Sequence, residues 1–219
     1  FFHLLAAFIF FSFLYLLIPK FYNYNKTDIT SAICKSKKIE CLIEGKIKYS
    51  FYPSPRIKIK NLIVNEIFNK KETLIMVKDT DVKLSLKNLI IKEKQIIKKI
   101  DFKNYEINLN LKNFKNYKNL FKKKIDFTSA LFTNGKIIIS EGKDYVATIN
   151  KANLSLKFVE DTTEAKLKGK FLNDSIYINL NNKKIDDKIL TNILFKMLNA
   201  NLVTKANLNS FINKPDLIN

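Results

Sequence analysis

Few residues in this chain have side chains suited to chemistry. His3 is the sole histidine, and it stands inside an apolar run, where it reads as a residue near a membrane interface and not as a ligand. Carboxylates occur in three close sets: Asp79 with Asp81, Glu160 with Asp161, and Asp186 with Asp187. Two carboxylates on one face can act as general acid and base when their surroundings drive their pKa values apart. Asp79 and Asp81 would share a strand face, but a turn accounts for them more simply. Glu160-Asp161 reads as a loop ahead of two threonines, and Asp186-Asp187 as the start of a helix. Cys34 and Cys41 are the only cysteines. With no histidine near them they cannot close a zinc site. They remain either a disulfide across a short loop, in an oxidising compartment, or two separate buried thiols. No G-x-S-x-G, G-x-G-x-x-G or Walker-type loop occurs, and the chain has only four glycines from which to build one. The sequence is therefore read as non-enzymatic, without metal or cofactor.

The elements that would carry these residues begin with an apolar segment. Phe1 to Ile18 reads FFHLLAAFIFFSFLYLLI, with no full charge. At about 1.5 Å per residue it extends about 27 Å, enough for a hydrocarbon core. Pro19 and Lys20 end it, and Tyr22 and Tyr24 suit the interface. A cleavable signal would end in small residues; this run ends Leu-Leu-Ile-Pro-Lys-Phe-Tyr, so an uncleaved anchor over residues 1–19 is expected. The basic residues that follow favour a cytoplasmic side, although long domains cross largely regardless of charge. The first residue, Phe1, and the strand-like final segment read as those of a piece of a longer chain.

The 219 residues carry 39 Lys+Arg against 20 Asp+Glu, a net charge of +19. The lysines are spread evenly, so they read as the outward residues of half-buried strands and not as a polyanion-binding patch. Tyr105, Tyr117 and Tyr145 are scattered, without the clustered aromatic and basic face that nucleic acid requires. No nucleic-acid partner is expected.

A linker with a short helix, Asp28 to Lys35 capped by Asp28, is expected over 20–38. From Ile39 the apolar period changes to two. Ile47, Tyr49 and Phe51 alternate with polar neighbours; Gly45 marks a bend or bulge; Pro53-Ser54-Pro55 makes a corner. Ile57 and Ile59 resume the alternation, and Leu62 and Val64 switch its parity. Val82, Leu84 and Leu86 repeat the pattern, as do Ile107, Leu109 and Leu111. Phe114 to Lys124 reads as a loop or short helix. Asn134-Gly135 signals a turn or bulge, Glu141 to Asp144 a hairpin connection, and Asn173-Asp174 a turn. Strands are expected at Ala152–Phe158, Ala165–Phe171 and Ile176–Leu180. Ile185, Ile189, Leu190, Ile193, Leu194, Met197 and Leu198 stand at helical spacing, which predicts an amphipathic helix over 185–200 capping a sheet over 39–184. Residues 201–219 would start a further strand. The fold class is mainly β: a transmembrane helix, then a long antiparallel sheet with one or two short amphipathic helices. A long sheet with so little helix must curl, meet a second sheet or hold something apolar.

Residues 39–64, IECLIEGKIKYSFYPSPRIKIKNLIV, resemble the start of AsmA-family proteins, in which a membrane helix is followed by a Gly, a strand, a Phe-x-Pro-type corner and another alternating strand. Further similarity lies at VKLSLKNLII (Val82–Ile91), Ile100–Leu109, FTNGKIII (Phe132–Ile139) and Ala152–Leu156. The resemblance implies a single pass through the inner membrane, a periplasmic domain, a curled sheet of β-groove type, and a part in outer-membrane assembly or phospholipid transport. The implied partners are phospholipid or another acyl lipid, the inner membrane, and other envelope proteins. A groove for acyl chains needs a continuous apolar lining, each buried CH2 contributing about 0.8 kcal/mol. The candidate lining is Ile47, Tyr49, Phe51, Ile57, Ile59, Val82, Leu84, Leu86, Ile107, Leu109 and Leu111. The competing reading is a β-sandwich that binds envelope proteins and carries no lipid.

Overall fold

The computed structural model describes residues 2–34, 40–66, 72–113, 128–186 and 188–211. The stretch Phe114–Lys124 lies outside them.

Helix α1 (Phe2–Leu17) is built from large apolar residues on all sides, and it continues as a 3-10 turn over Ile18–Phe21 with Pro19 early in that turn. The resulting helix of 20 residues, about 30 Å long, is long and apolar enough to cross a membrane. By length and composition it is a membrane anchor or a signal sequence. Helix α2 (Lys26–Cys34) follows. Its cap is Asn25 and not Asp28: the Asn25 Oδ1 accepts the backbone N–H of Asp28 at 2.7 Å, the N3 geometry of an N-cap. Asp28 sits in the first turn, where a carboxylate favours the helix dipole, and pairs with Lys92 at 3.0 Å.

Among the described residues eleven strands follow: β1 (Cys41–Ile43), β2 (Ile47–Ser50), β3 (Arg56–Asn65), β4 (Thr73–Leu84), β5 (Ile97–Asn110), β6 (Ser129–Glu141), β7 (Asp144–Val159), β8 (Thr162–Phe171), β9 (Asp174–Ile185), β10 (Lys188–Met197) and β11 (Leu202–Phe211). They form one open sheet in the order β1-β3-β4-β5-β6-β7-β8-β9-β10-β11, with β2 also on β3. The chain divides into two compact units, 1–101 and 102–219, so the boundary falls within β5, not at a sheet end near residue 184.

In the first unit, Ile47 stands opposite Ile59 and Tyr49 opposite Ile57, while on the other side of β3 Ile57 faces Val82 and Ile59 faces Thr80. The expected parity switch is a bulge. Ile43 to Ile47 is four residues along one side, whereas their partners Leu62 to Ile59 are three. Asn61 takes up the difference with φ 52°, and Gly45 lies so close to Lys60 that a Cβ would come within 2.5 Å of it. Cys34 and Cys41 are disulfide-bonded, tying α2 to β1. The corner at Pro53 has a cis Tyr52–Pro53 bond.

Asp79 and Asp81 lie within β4 and not in a turn. Lys60 and Lys58 stand opposite them, and Lys60 pairs with Asp79 while Arg56 reaches Asp81 at 3.3 Å. Cross-strand cations satisfy the two acids and keep the strand regular. Asp101 is buried between Lys83 at 2.7 Å and Lys99 at 3.0 Å. Burial works to raise its pKa, but the hydrogen bonds from Lys83 and Lys99 outweigh it and hold the carboxyl below its ordinary value.

The second unit is a meander of hairpins. The connections are short and use left-handed residues: Gly142 between β6 and β7, Glu160 between β7 and β8, Leu172 and Asn173 between β8 and β9, Asp186 between β9 and β10, and Asn201 between β10 and β11. Asn134-Gly135 is a bulge inside β6, not a chain reversal. Tyr105 lies over Gly135, and its hydroxyl donates to the Ala152 carbonyl at 3.1 Å. Phe132 stacks on Phe102 with centroids 4.4 Å apart and meets Tyr105 edge-on at 5.2 Å. This aromatic cluster anchors the unit's core.

The predicted helix over 185–200 is a strand hairpin instead. β10 pairs with β9 along its whole length and with β11 likewise. Ile189, Thr191, Ile193, Phe195 and Met197 stand at period two and are β-branched, aromatic or flexible, which suits a pleated surface. The helical template leaves Phe195 out of its apolar stripe, and the ladder accommodates it opposite Ile178.

A Cβ at Gly135 would lie 2.2 Å from the Tyr105 ring. Gly135→Ala is therefore expected to displace that ring and destabilise the protein by about 1–3 kcal/mol, read as a lower urea midpoint. An unchanged midpoint would contradict the packing of Tyr105 against Gly135.

Candidate functional site

The predicted lining divides between the two units. Ile57, Ile59, Val82 and Leu84 are buried core of the first unit. Ile47 and Tyr49 are brought onto the same face by register, and the C-terminal part of α1 touches the strand that bears them. The Tyr49 hydroxyl donates to the Leu16 carbonyl at 2.8 Å, and the Phe51 ring meets Phe13 edge-on with centroids 5.5 Å apart. Burial pushes the Tyr49 hydroxyl up to about 12, so it remains a donor at neutral pH. Tyr49 and Phe51 thus seat the helix, where the sequence suggested an open lining. Leu86 lies beyond the end of β4, 59% exposed, and Leu111 sits in a short 3-10 turn after β5. Neither continues its strand's alternation. Ile107 is buried and Leu109 half-buried on β5 in the second unit.

A continuous apolar surface does exist in the second unit, on strands whose alternation the sequence displays but whose residues were not among the candidates. Side chains directly opposite in antiparallel strands share a face, so the register assembles rows across the sheet. One row runs Phe132, Leu154, Leu167, Ile178, Phe195, Thr204. The next runs Ala130, Leu156, Ala165, Leu180, Ile193, Ala206. A third joins Gly169, Ile176, Met197 and Leu202. In the first two rows Phe132 and Ala130 are buried, whereas Leu154 to Phe195 and Leu156 to Ile193 remain half-buried; in the third row Ile176 is buried. Among the described residues this unit holds no α-helix. Six strands at about 4.8 Å spacing make each of the first two rows about 24 Å long.

The reverse face is polar. Ser155, Lys166, Asn179, Leu194 and Lys205 make one of its rows, and Asn153, Lys168, Tyr177, Lys196 and Val203 another, so it carries few apolar side chains among its lysines and asparagines. Lys166 pairs with Glu164, and the Lys168 ammonium stands 5.9 Å from the Tyr177 ring centre. The lysines of β7–β11 are therefore concentrated on the side away from the apolar rows.

At the far edge, Asp174 closes the turn that returns β11. It is buried, and its carboxylate accepts the backbone N–H groups of Asn199 at 2.9 Å and Ala200 at 3.0 Å. The hydrogen bond from Asn199 is foremost among those holding the carboxyl below its ordinary value.

The arrangement can hold an elongated apolar molecule. Among the described residues there is no cluster of His, Cys, Asp and Glu able to hold a metal. Searches among protein-family models, curated proteins and solved structures find no match to this chain.

The Asp174 geometry carries a pH prediction. Because the folded carboxyl is more acidic than the unfolded one, whose value is 3.8, its stabilisation is present above that value and is lost as pH falls through the folded value. The melting-temperature gap between the parent protein and Asp174→Ala should therefore close as the pH is lowered from about 5. A gap that stays constant would contradict the assigned hydrogen bonds.

Proposed function

We propose that this chain is a membrane-anchored envelope protein of AsmA type that shelters acyl chains of phospholipid on the apolar face of β6–β10, as part of lipid transport between membranes or of outer-membrane assembly. The observation that carries this reading is the pair of uninterrupted apolar rows, half-buried over several strands and backed by a lysine-rich face. Over β6–β10 each row is about 19 Å long, more than the ~15 Å, half of a ~30 Å hydrocarbon core, that one leaflet's chains span. Sheltering a chain there contributes about 0.8 kcal/mol per CH2 withdrawn from water, and it needs no catalytic group.

The placement rests on two further supports. An anchor formed by α1 would hold the sheet beside a bilayer, the source of such lipids. The Cys34–Cys41 disulfide suits an oxidising compartment, in keeping with the inner membrane and periplasm implied by the resemblance of residues 39–64 to AsmA-family proteins. The second reading, a module that binds envelope proteins by strand addition, is favoured by β11. That strand ends the sheet order and exposes Leu202, Val203 and Leu208.

The test is site-specific photocrosslinking in intact cells of a Gram-negative type. A photoreactive phenylalanine analogue would replace Leu167 or Phe195 on the apolar face, or Lys168 on the reverse face, in the full chain. Adducts to radiolabelled phospholipid are expected from the first two positions and not from Lys168. Protein adducts alone from Leu167 and Phe195 would transfer support to the interaction module. Lipid adducts of equal yield from both faces would defeat the reading.

A further inference from the structure

In the first unit, the connection between β4 and β5 is hooked onto the end of α1 by a set of tyrosines. The Tyr15 hydroxyl donates to the Leu86 carbonyl and accepts the Leu89 N–H at 3.3 Å. The Tyr22 hydroxyl donates to the Ile90 carbonyl. Gln95 Nε2 donates to the Tyr24 hydroxyl at 3.0 Å and to the Leu89 carbonyl at 2.9 Å. Leu89 is fully buried, yet its neighbours turn outward: Leu86 is 59% exposed, Ile90 43% and Ile91 40%. Lys87 and Lys94 are exposed in the same loop. The corner after β2 lies at this end too. Phe51 touches Phe13, and the adjacent Tyr52 is 77% exposed.

Exposed aliphatic residues grouped with lysines, held against the last turns of an apolar helix, are hard to reconcile with a surface bathed only in water. Tyr15 and Tyr22 are seven residues apart along the helix and its 3-10 extension, which separates the two hydroxyl-bearing residues by roughly 10–13 Å along its axis. That interval matches the depth of the headgroup and upper acyl region when the helix spans a bilayer. Tyrosine is also the side chain that suits this depth, apolar in body with a polar tip.

We propose that the loop 85–96 and the corner at Tyr52 form a docking surface for the same bilayer that α1 enters. Leu86, Ile90, Ile91 and Tyr52 insert at the acyl boundary, and Lys87 and Lys94 meet anionic headgroups. The first unit then stands on the membrane at two kinds of attachment, a spanning helix and an interfacial foot, and its orientation to the bilayer is set. This inference rests on α1 being embedded and is independent of where acyl chains are carried.

The chain contains no tryptophan, so single tryptophans can report depth directly. The full chain would be reconstituted in vesicles of phosphatidylcholine with phosphatidylglycerol, carrying Ile91→Trp, Tyr52→Trp, Phe8→Trp or Met76→Trp. Met76 is seven residues along β4 from Lys83, about 23 Å from the docking end. Emission from Ile91→Trp and Tyr52→Trp is expected to shift to shorter wavelength than that from Met76→Trp. It should also be quenched more by lipid brominated near the headgroup than by lipid brominated near the chain end. Phe8→Trp should show the opposite preference. Quenching at Phe8→Trp with Ile91→Trp and Tyr52→Trp resembling Met76→Trp would mean an embedded helix without a foot, and would overturn the proposal. Absence of quenching at Phe8→Trp would remove its premise and the proposal together. Adding Lys87→Glu and Lys94→Glu is expected to weaken quenching at Ile91→Trp in vesicles with phosphatidylglycerol; equal quenching would overturn the headgroup contact.

Discussion

An antiparallel ladder leaves a side chain no choice of face: aligning one pair of residues decides the side for every residue on both strands. In this protein that constraint propagates from β6 to β11, because the hairpin connections there are tight enough to hold the register. Left-handed residues do this work at the turns and take up irregularities within the strands, and asparagine is prominent among them. Asn61, Asn88, Asn104, Asn134, Asn173 and Asn201 all have positive φ, a conformation in which asparagine is less strained than most residues. A sequence poor in glycine can therefore still reverse and bulge its strands.

The consequence of a fixed register is a sheet with an oily side that must be covered. The first unit meets the requirement internally. Tyr49 and Phe51 lie against α1, and α2 brings the buried Ile29 and Cys34 to the unit's core, secured by the disulfide to Cys41. In the second unit burial is thorough near the Tyr105 cluster and, apart from Asp174 and Ile176, partial from Leu154 onward. The net charge follows from the same alternation. Lysine fills the outward positions, and part of it is matched by acids across the ladder, as at Lys60 with Asp79 and Lys157 with Glu164. The high positive charge thus fits a patterned sheet without calling for a polyanionic partner.

Much of the strand pattern was legible in the sequence because period-two alternation is a local signal. The strand around Ile57, the Gly45 bulge, the corner at Pro53 and the Glu141–Asp144 hairpin are all visible to inspection. Three features were not. The run from Ile185 to Leu198 satisfies a helical template and a strand template together, and only pairing with β9 and β11 decides between them. Asn25 competes with Asp28 as a helix cap within three residues, and the cap depends on which side chain meets a free N–H. The candidate lining failed for a different reason: alternation says which residues share a face, and nothing about what lies over it. Tyr49 and Phe51 have the same local pattern as Leu154 and Leu156, yet α1 returns onto the former. The misread helix also hid Ile193 and Phe195, so the rows across the second unit could not be assembled from sequence.

The central claim is that the open apolar rows of the second unit, and not the buried face of the first, receive acyl chains. Methyl-resolved NMR of the full chain in deuterated detergent with protonated phospholipid tests it most directly. The account predicts nuclear Overhauser contacts from acyl-chain protons to the methyl groups of Leu167, Ile178 and Ile193, and none to those of Ile57, Ile59 or Val82. Contacts from the methyls of Leu167, Ile178 and Ile193 only to other protein side chains, with the acyl protons silent throughout the sheet, would contradict it.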